Sequence, residues 1–285
     1  MKSWRKLGVI AGGGDLPVAL AEHLAAAHES YFVARIAPYA DAALEAHPGV
    51  TLGLGAMGAR MEAMRAAGVD AVVLIGQVPR PDLTKLELDG GAMAMLPAII
   101  ASLPKGDDAL LRAVLAEHER AGFQVVGAET AMADLLAPPG AWGARAPDAS
   151  QRADMLLGAK IAAAIGQYDI GQGVVVCDGI VLAVEAQEGT DAMLARVAGL
   201  APSVRGAPSA PRGVLVKRPK PIQERRVDLP TIGIRTVQGA AGAHLAGVAV
   251  EAGAALVVRR DEIVREADRL GLYLYGFTHA ETGQA

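Results

Sequence analysis

Leu7-Gly8-Val9-Ile10-Ala11-Gly12-Gly13-Gly14-Asp15-Leu16-Pro17 decides how the first half of this chain is read. A short apolar run is followed by three glycines, and a helical pattern then runs over 16–27. Apolar residues without alternation predict a strand buried on both faces, and the glycines predict a tight turn into the helix. The same alternation continues outward. The segments 31–36, 51–54 and 71–75 predict strands, and 57–67 predicts a helix stopped by Gly68. Helices are expected over 92–103 and 107–121, with Asp107 as the N-cap of the second, and a last strand over 123–127. Strand and helix in turn predict an open α/β sheet with helices on both faces.

The second half has a different texture. Residues 137–147 hold three prolines and two glycines and predict a linker. A helix is expected over 150–165. Strands 174–177 and 180–184 are joined by Asp178-Gly179, a strong hairpin signal. A helix over 190–198, a strand over 213–216, an irregular charged stretch to 234, strands at 248–249 and 255–258, a helix over 261–270 and a strand over 272–275 complete a mixed α+β domain. The expected division is 1–137, a linker 138–147, and 148–285.

Composition excludes several classes. Of 285 residues, 52% are hydrophobic and the net charge is −4, which excludes a disordered chain and argues against nucleic acid as a partner. The single cysteine, Cys177, excludes a disulfide framework and a thiolate zinc site, and reads as a buried thiol on a strand. The most apolar segment, 239–258, contains His244 and Glu251 and does not suit a membrane span. Lys2, Arg5 and Lys6 precede an apolar run broken at Gly12, which predicts a first strand rather than a signal peptide. A soluble, cytoplasmic protein is expected.

Four stretches could carry chemistry. At Gly12–Asp15, Pro17 stands where a dinucleotide fingerprint has its third glycine, and 31–38 offers Arg35 but no carboxylate for a ribose. NAD is therefore disfavoured. A ligand-free turn and a nucleotide or sugar-phosphate contact both remain open. Asp107 and Asp108 suit either a hard cation or the dipole at a helix start. The six histidines lack metal-ligand spacing. Over 212–235, seven cations (Arg212, Lys217, Arg218, Lys220, Arg225, Arg226, Arg235) face two acids, Glu224 and Asp228, and Pro219, Pro221 and Pro230 thread the run. Cations around one aspartate on a scaffolded loop suit a phosphorylated substrate, with the carboxylate orienting water or holding Mg²⁺. In Glu185–Asp191, Thr190 or Asp191 is expected to cap a helix, and Glu185 and Glu188 lie at a strand end, where α/β sites gather.

Five stretches taken together resemble one family. They are 7–17, 105–112 (Lys-Gly-Asp-Asp-Ala-Leu-Leu-Arg), 169–172 (Asp-Ile-Gly-Gln), 184–193 (Val-Glu-Ala-Gln-Glu-Gly-Thr-Asp-Ala-Met) and 217–233, with Lys-x-x-Lys-Pro-x-Gln and Asp-Leu-Pro-Thr-Ile-Gly. They look like the LpxI-type UDP-2,3-diacylglucosamine pyrophosphatases of lipid A biosynthesis, over about residues 5–277. The resemblance implies a Rossmann-like N-terminal domain and a C-terminal catalytic domain. It also implies Mg²⁺-dependent hydrolysis, with Mn²⁺ as a substitute, of UDP-2,3-diacylglucosamine to UMP and 2,3-diacylglucosamine 1-phosphate.

On that resemblance Asp228, Lys217, Lys220 and Arg226 are the expected catalytic residues. Gly12, Gly13, Gly14, Asp15, Glu185, Thr190, Asp191, Gln223 and Thr231 are expected to bind substrate, and Asp228, Glu224 and Glu188 to hold the metal. Glu224 stands where the family is expected to carry an acid, often Asp. A homodimer in peripheral contact with the inner membrane is expected, and the apolar stretches 174–184 and 245–258 are expected to line a groove for the acyl chains. The alternatives are a UDP-sugar-dependent glycosyltransferase and a non-catalytic sugar-nucleotide or lipid-binding protein. Asp228 argues against the last, because a phosphate grip gains nothing from a carboxylate among seven cations.

Overall fold

The structure, a computed structural model, describes residues 4–79, 82 and 85–283, apart from the side chain of Lys105. The chain divides into two compact units, Met1–Ala133 with Glu224–Val227, and Asp134–Gln223 with Asp228–Ala285.

The first unit runs β1 (Leu7–Ala11), α1 (Asp15–Ala26), β2 (Tyr31–Ala37), β3 (Gly49–Gly53), α2 (Met57–Ala66), β4 (Ala71–Ile75), α3 (Gly90–Ser102), α4 (Asp107–Arg120), β5 (Gln124–Val125) and α5 (Ala128–Ala131). Its five strands form one sheet in the order β3-β2-β1-β4-β5, with every neighbouring pair parallel. Sheets of this order leave a crevice beyond the carboxyl ends of the strands, where the order reverses. Strand β1 is central and wholly buried, as its unbroken apolar sequence requires. It turns directly into α1. A Cβ at Gly12 would lie 2.7 Å from the Gln77 carbonyl oxygen, so the close approach of two backbones demands this glycine. Helix α4 starts at Asp107, and Gly106 (φ 99°) is the residue that caps it. Asp107 therefore lies inside the first turn, with Asp108, where both complement the helix dipole.

The second unit runs β6 (Gly140–Trp142), α6 (Ala149–Gly166), β7 (Gly173–Cys177), β8 (Ile180–Val184), α7 (Gly189–Ala198), α8 (Pro202–Arg205), β9 (Gly206–Ala207), β10 (Ala210–Pro211), β11 (Val214–Lys217), β12 (Thr231–Ile232), α9 (Ile234–Gly242), β13 (Gly247–Glu251), β14 (Leu256–Val257), α10 (Arg260–Leu270) and β15 (Tyr273–Phe277). Six strands form a mixed sheet in the order β6-β15-β13-β11-β7-β8. Strands β15, β13 and β11 are parallel, and β6, β7 and β8 extend the sheet antiparallel at its two sides.

Period-two alternation builds both layers. Leu215 packs with Met193, Leu194, Val237 and Ile263 from α7, α9 and α10. Its neighbours Val214 and Val216 pack with Met155 and Ala159 of α6.

Two expectations are corrected here. The stretch read as a linker, 138–147, carries β6, which pairs with β15 at the sheet edge. The Trp142 indole N–H donates to the Pro138 carbonyl oxygen at 2.9 Å. Prolines and glycines are tolerated at such an edge, so their density did not mark a break between domains. The expected acyl groove is not formed by the stretches named for it. Val174, Val175, Val176, Leu245, Val248 and Val250 are all core residues, and the large apolar side chains exposed in these stretches are Ile180 and Val181 on the hairpin.

The hairpin itself is as expected, with φ of 50° at Asp178 and 77° at Gly179. The buried Asp154 of α6 accepts the N–H groups of both turn residues, at 2.9 and 2.7 Å. Cys177 is buried beside that turn, and burial pushes its thiol up to about 11, the condition of an inert cysteine. Among the described residues no helix is long and apolar enough to cross a membrane.

Candidate active site

Register brings three motif stretches of the second unit to one sheet edge. Lys217, the last residue of β11, pairs with Gly173, the first of β7. Val174 pairs with Val184, the last residue of β8. The turn before β7, the turn after β8 and the loop after β11 therefore leave the sheet together, at the carboxyl ends of its parallel strands. That is the edge where α/β sheets place their sites.

The loop after β11 contributes Lys220, flanked by Pro219 and Pro221, whose rings fix the local backbone. Its ammonium donates to Asp169 Oδ1 at 2.6 Å and lies 3.5 Å from Asp228 Oδ2. The three side chains are largely withdrawn from solvent, with 11%, 15% and 28% of their surface exposed for Lys220, Asp169 and Asp228. Burial pushes the Asp228 carboxyl above its ordinary value, outweighing the opposing fields of Lys220 and Lys217. For Lys220, burial alone would lower the ammonium. The hydrogen bond to Asp169 and the field of Asp228 more than offset that, so Lys220 is held as a cation.

A second chain of polar groups runs beside it. The buried Lys217 ammonium donates to Thr190 Oγ1 at 2.8 Å and to the Thr231 carbonyl oxygen at 3.4 Å. The Thr190 hydroxyl in turn donates to Glu185 Oε1 at 2.6 Å. Neither Thr190 nor Asp191 caps α7, whose N-cap residue is Glu188: the Thr190 side chain is engaged between Lys217 and Glu185, and Asp191 lies inside the first turn. Gln223 is buried and accepts the Lys220 backbone N–H at 2.7 Å, which makes it a clamp on the loop. Glu185 Oε2, Gln172 Oε1 and Gln223 Nε2 are buried with no hydrogen-bond partner among the described residues. Unsatisfied groups of this kind cost about 1–3 kcal/mol each. Three of them in these motif stretches mark hydrogen-bonding capacity that the fold itself does not use.

Other expected site residues are engaged differently. Glu188 accepts from Arg196 at 2.7 Å and from the Ala186 N–H, and its own backbone N–H and Arg196 hold its carboxyl below the usual range. Asp191 pairs with Arg235 on the surface at 3.4 Å. Glu224 and Arg226 belong to the first unit, where Arg226 bridges Glu224 at 3.0 Å and Glu119 at 2.7 Å. The Glu224 N–H is accepted by Asp108 at 2.6 Å, and Arg112 lies 2.6 Å from Asp108 and 3.6 Å from Glu224. That network ties Glu224–Val227 to α4. Gly12 is buried, Gly13 is partly exposed, and Gly14 and Asp15 stand exposed at the start of α1, beyond the carboxyl end of β1.

Comparison with known proteins decides the family of the chain. A family model described as the LpxI N-terminal domain matches residues 6–135, and one described as the LpxI C-terminal domain matches residues 138–275. The chain belongs to the LpxI family. It is 50% identical over 272 residues to UDP-2,3-diacylglucosamine pyrophosphatase LpxI of Caulobacter vibrioides, covering 95% of this chain and 97% of the relative. Among solved structures, CobK precorrin-6A reductase aligns over 96% of this chain and 87% of its own at 13% identity, but its TM-score of 0.32 carries no argument.

The metal expected of an LpxI protein finds only part of its expected ligand set. Among the described residues no group of three His, Cys, Asp or Glu side chains is placed to hold a metal ion. Glu188 and Glu224 are committed to arginines, and Asp169 to Lys220. Asp228 remains, and one carboxylate together with substrate phosphate oxygens is an ordinary way of holding Mg²⁺. The donor chemistry of Asp228 thus fits a hard cation that is shared with phosphate oxygens.

In the sequence Asp169 and Gln172 stand only as part of the 169–172 motif, with no role expected of either. A signal for Asp169 was present, because an acid just past a helix C-terminus opposes the helix dipole.

Proposed function

We propose that this protein hydrolyses the pyrophosphate of UDP-2,3-diacylglucosamine, giving UMP and 2,3-diacylglucosamine 1-phosphate. The observation that carries the reading is the Lys220–Asp228 pair on the loop that closes β11, in a chain half-identical to the Caulobacter enzyme along nearly its whole length. Fixed ammonium groups beside a partly buried carboxylate suit phosphoryl transfer, where positioning and charge neutralisation supply most of the catalysis. Lys220 and Lys217 neutralise the non-bridging oxygens of the pyrophosphate. Asp228 orients the attacking water and takes up its proton, while the bridging oxygen leaves with UMP. A magnesium ion bound to the pyrophosphate and Asp228 would add a further positive charge to the developing negative one. Glu185, Gln172 and Gln223 offer their unused acceptors and donor to the polar parts of the substrate. On this reading the protein acts in the cytoplasm, in peripheral contact with the membrane that holds its acylated substrate.

Incubation with UDP-2,3-diacylglucosamine should release UMP. Excess chelator should abolish that release, and Mg²⁺ or Mn²⁺ should restore it better than Zn²⁺, since the donors are hard oxygens. Full activity in excess chelator would remove the metal from the account. No UMP under any metal condition would overturn the function.

A further inference from the structure

We infer that Asp169 is a positioning residue for the reaction, acting on Lys220 and through it on Asp228. The inference rests on the hydrolase reading above. Asp169 sits just past the C-terminus of α6 at φ 56°, and its N–H donates to the Gly166 carbonyl oxygen at 3.2 Å. A residue other than glycine in the left-handed region is uncommon, and an acid here also opposes the helix dipole. Neither property favours the helix. What the position gives is a carboxylate fixed by the helix end and aimed at the Lys220 ammonium, 2.6 Å away.

Lys220 needs such a partner. Its stem is long and flexible, and the flanking prolines hold only its backbone. With Asp228 as its sole anion, the ammonium would close onto that carboxylate and occupy the oxygens that water requires. Asp169 draws it the other way, and the observed geometry is unequal, 2.6 Å to Asp169 against 3.5 Å to Asp228. The ammonium stays within the field of Asp228 without capturing it. Asp169 touches neither water nor phosphorus on this account, so it is no catalytic residue.

The test uses Asp169→Asn in the full chain, because asparagine tolerates the left-handed backbone and removes only the charge. Its kcat should fall about 100-fold, the scale of a small misplacement of a catalytic group, with KM within about threefold of wild type. In a Lys220→Met background the same substitution should change kcat by less than about threefold, since the group it acts through is gone. A kcat for Asp169→Asn within about threefold of wild type, or losses that multiply in the double variant, would overturn the inference.

A second readout needs no turnover. In substrate-free protein, acylation of Lys220 by an amine-reactive ester, followed by peptide mass spectrometry, should accelerate in Asp169→Asn while other lysines react as before. An unchanged Lys220 rate would count against the inference. No UMP release by the wild-type protein, together with that acceleration in Asp169→Asn, would overturn the function and leave the Asp169–Lys220 coupling standing.

Discussion

Asp228→Ala is expected to lower kcat by about 1,000-fold or more while leaving KM and the fold largely intact, because removal of a positioned acid–base group costs about 100- to 10,000-fold. The expectation follows from where Asp228 lies. It is partly buried at the carboxyl edge of the second sheet, 3.5 Å from a lysine ammonium that already has a better partner. A carboxylate placed only for stability would be expected to take the short bond to Lys220, and Asp169 takes it instead.

Stability gives an independent readout. Burial raises the Asp228 carboxyl above the ordinary aspartate value of 3.8, so the fold disfavours its ionised form. A raised acid contributes stability below its unfolded value and loses it as pH rises through the folded one. At neutral pH Asp228 therefore weighs against folding, and Asp228→Asn should melt at or above the wild-type temperature while remaining inactive. A lowered melting temperature combined with more than about a tenth of wild-type activity would make Asp228 a structural residue.

Lys220→Met should damage both activity and stability. Removing one partner of a buried ion pair typically costs about 3–5 kcal/mol, and here two carboxylates lose a shared cation. Both are partly exposed, so the lower end of that range applies. On the proposed function the same substitution takes away a charge that would neutralise the pyrophosphate, a loss expected to cost about 100- to 1,000-fold in kcat by analogy with loss of one oxyanion donor. Asp169→Asn in the same chain should recover part of the lost melting temperature without recovering activity. Failure of the double variant to regain any stability would mean that Asp169 and Lys220 are not energetically coupled.

The strands and turns that read true in the sequence are those whose signal is local. β1 and β4 are short apolar runs covered on both faces, and Asp178-Gly179 needs positive φ at both residues, as the hairpin shows. Elements whose identity depends on their surroundings were hidden. β6 lies in a proline- and glycine-rich stretch and exists because β15 offers it an edge. Helix α9 carries Gly239 and Gly242, which dilute a helical signal that packing against α7 and α10 makes good.

The site divides in the same way. The basic loop predicts a site, and Lys217, Lys220, Asp228, Thr190 and Glu185 are brought to one edge of the second sheet. Glu224 and Arg226 stand within four residues of Asp228 in sequence, yet they pack with α4 in the other unit. Spacing along a loop cannot say which body each residue joins. The cap expected of Thr190 or Asp191 follows from a local rule, whereas the partners of the Thr190 hydroxyl come from β11 and from the residue after β8.

The most direct test of the account is hydrolysis of UDP-2,3-diacylglucosamine by the purified protein in ¹⁸O-labelled water. If the Asp228 edge serves the sugar side of the pyrophosphate, water attacks the β-phosphorus, and the label appears in 2,3-diacylglucosamine 1-phosphate while UMP leaves unlabelled. Label confined to UMP would mean attack on the α-phosphorus and would reverse the orientation of the substrate at this edge. Absence of UMP altogether would contradict the account.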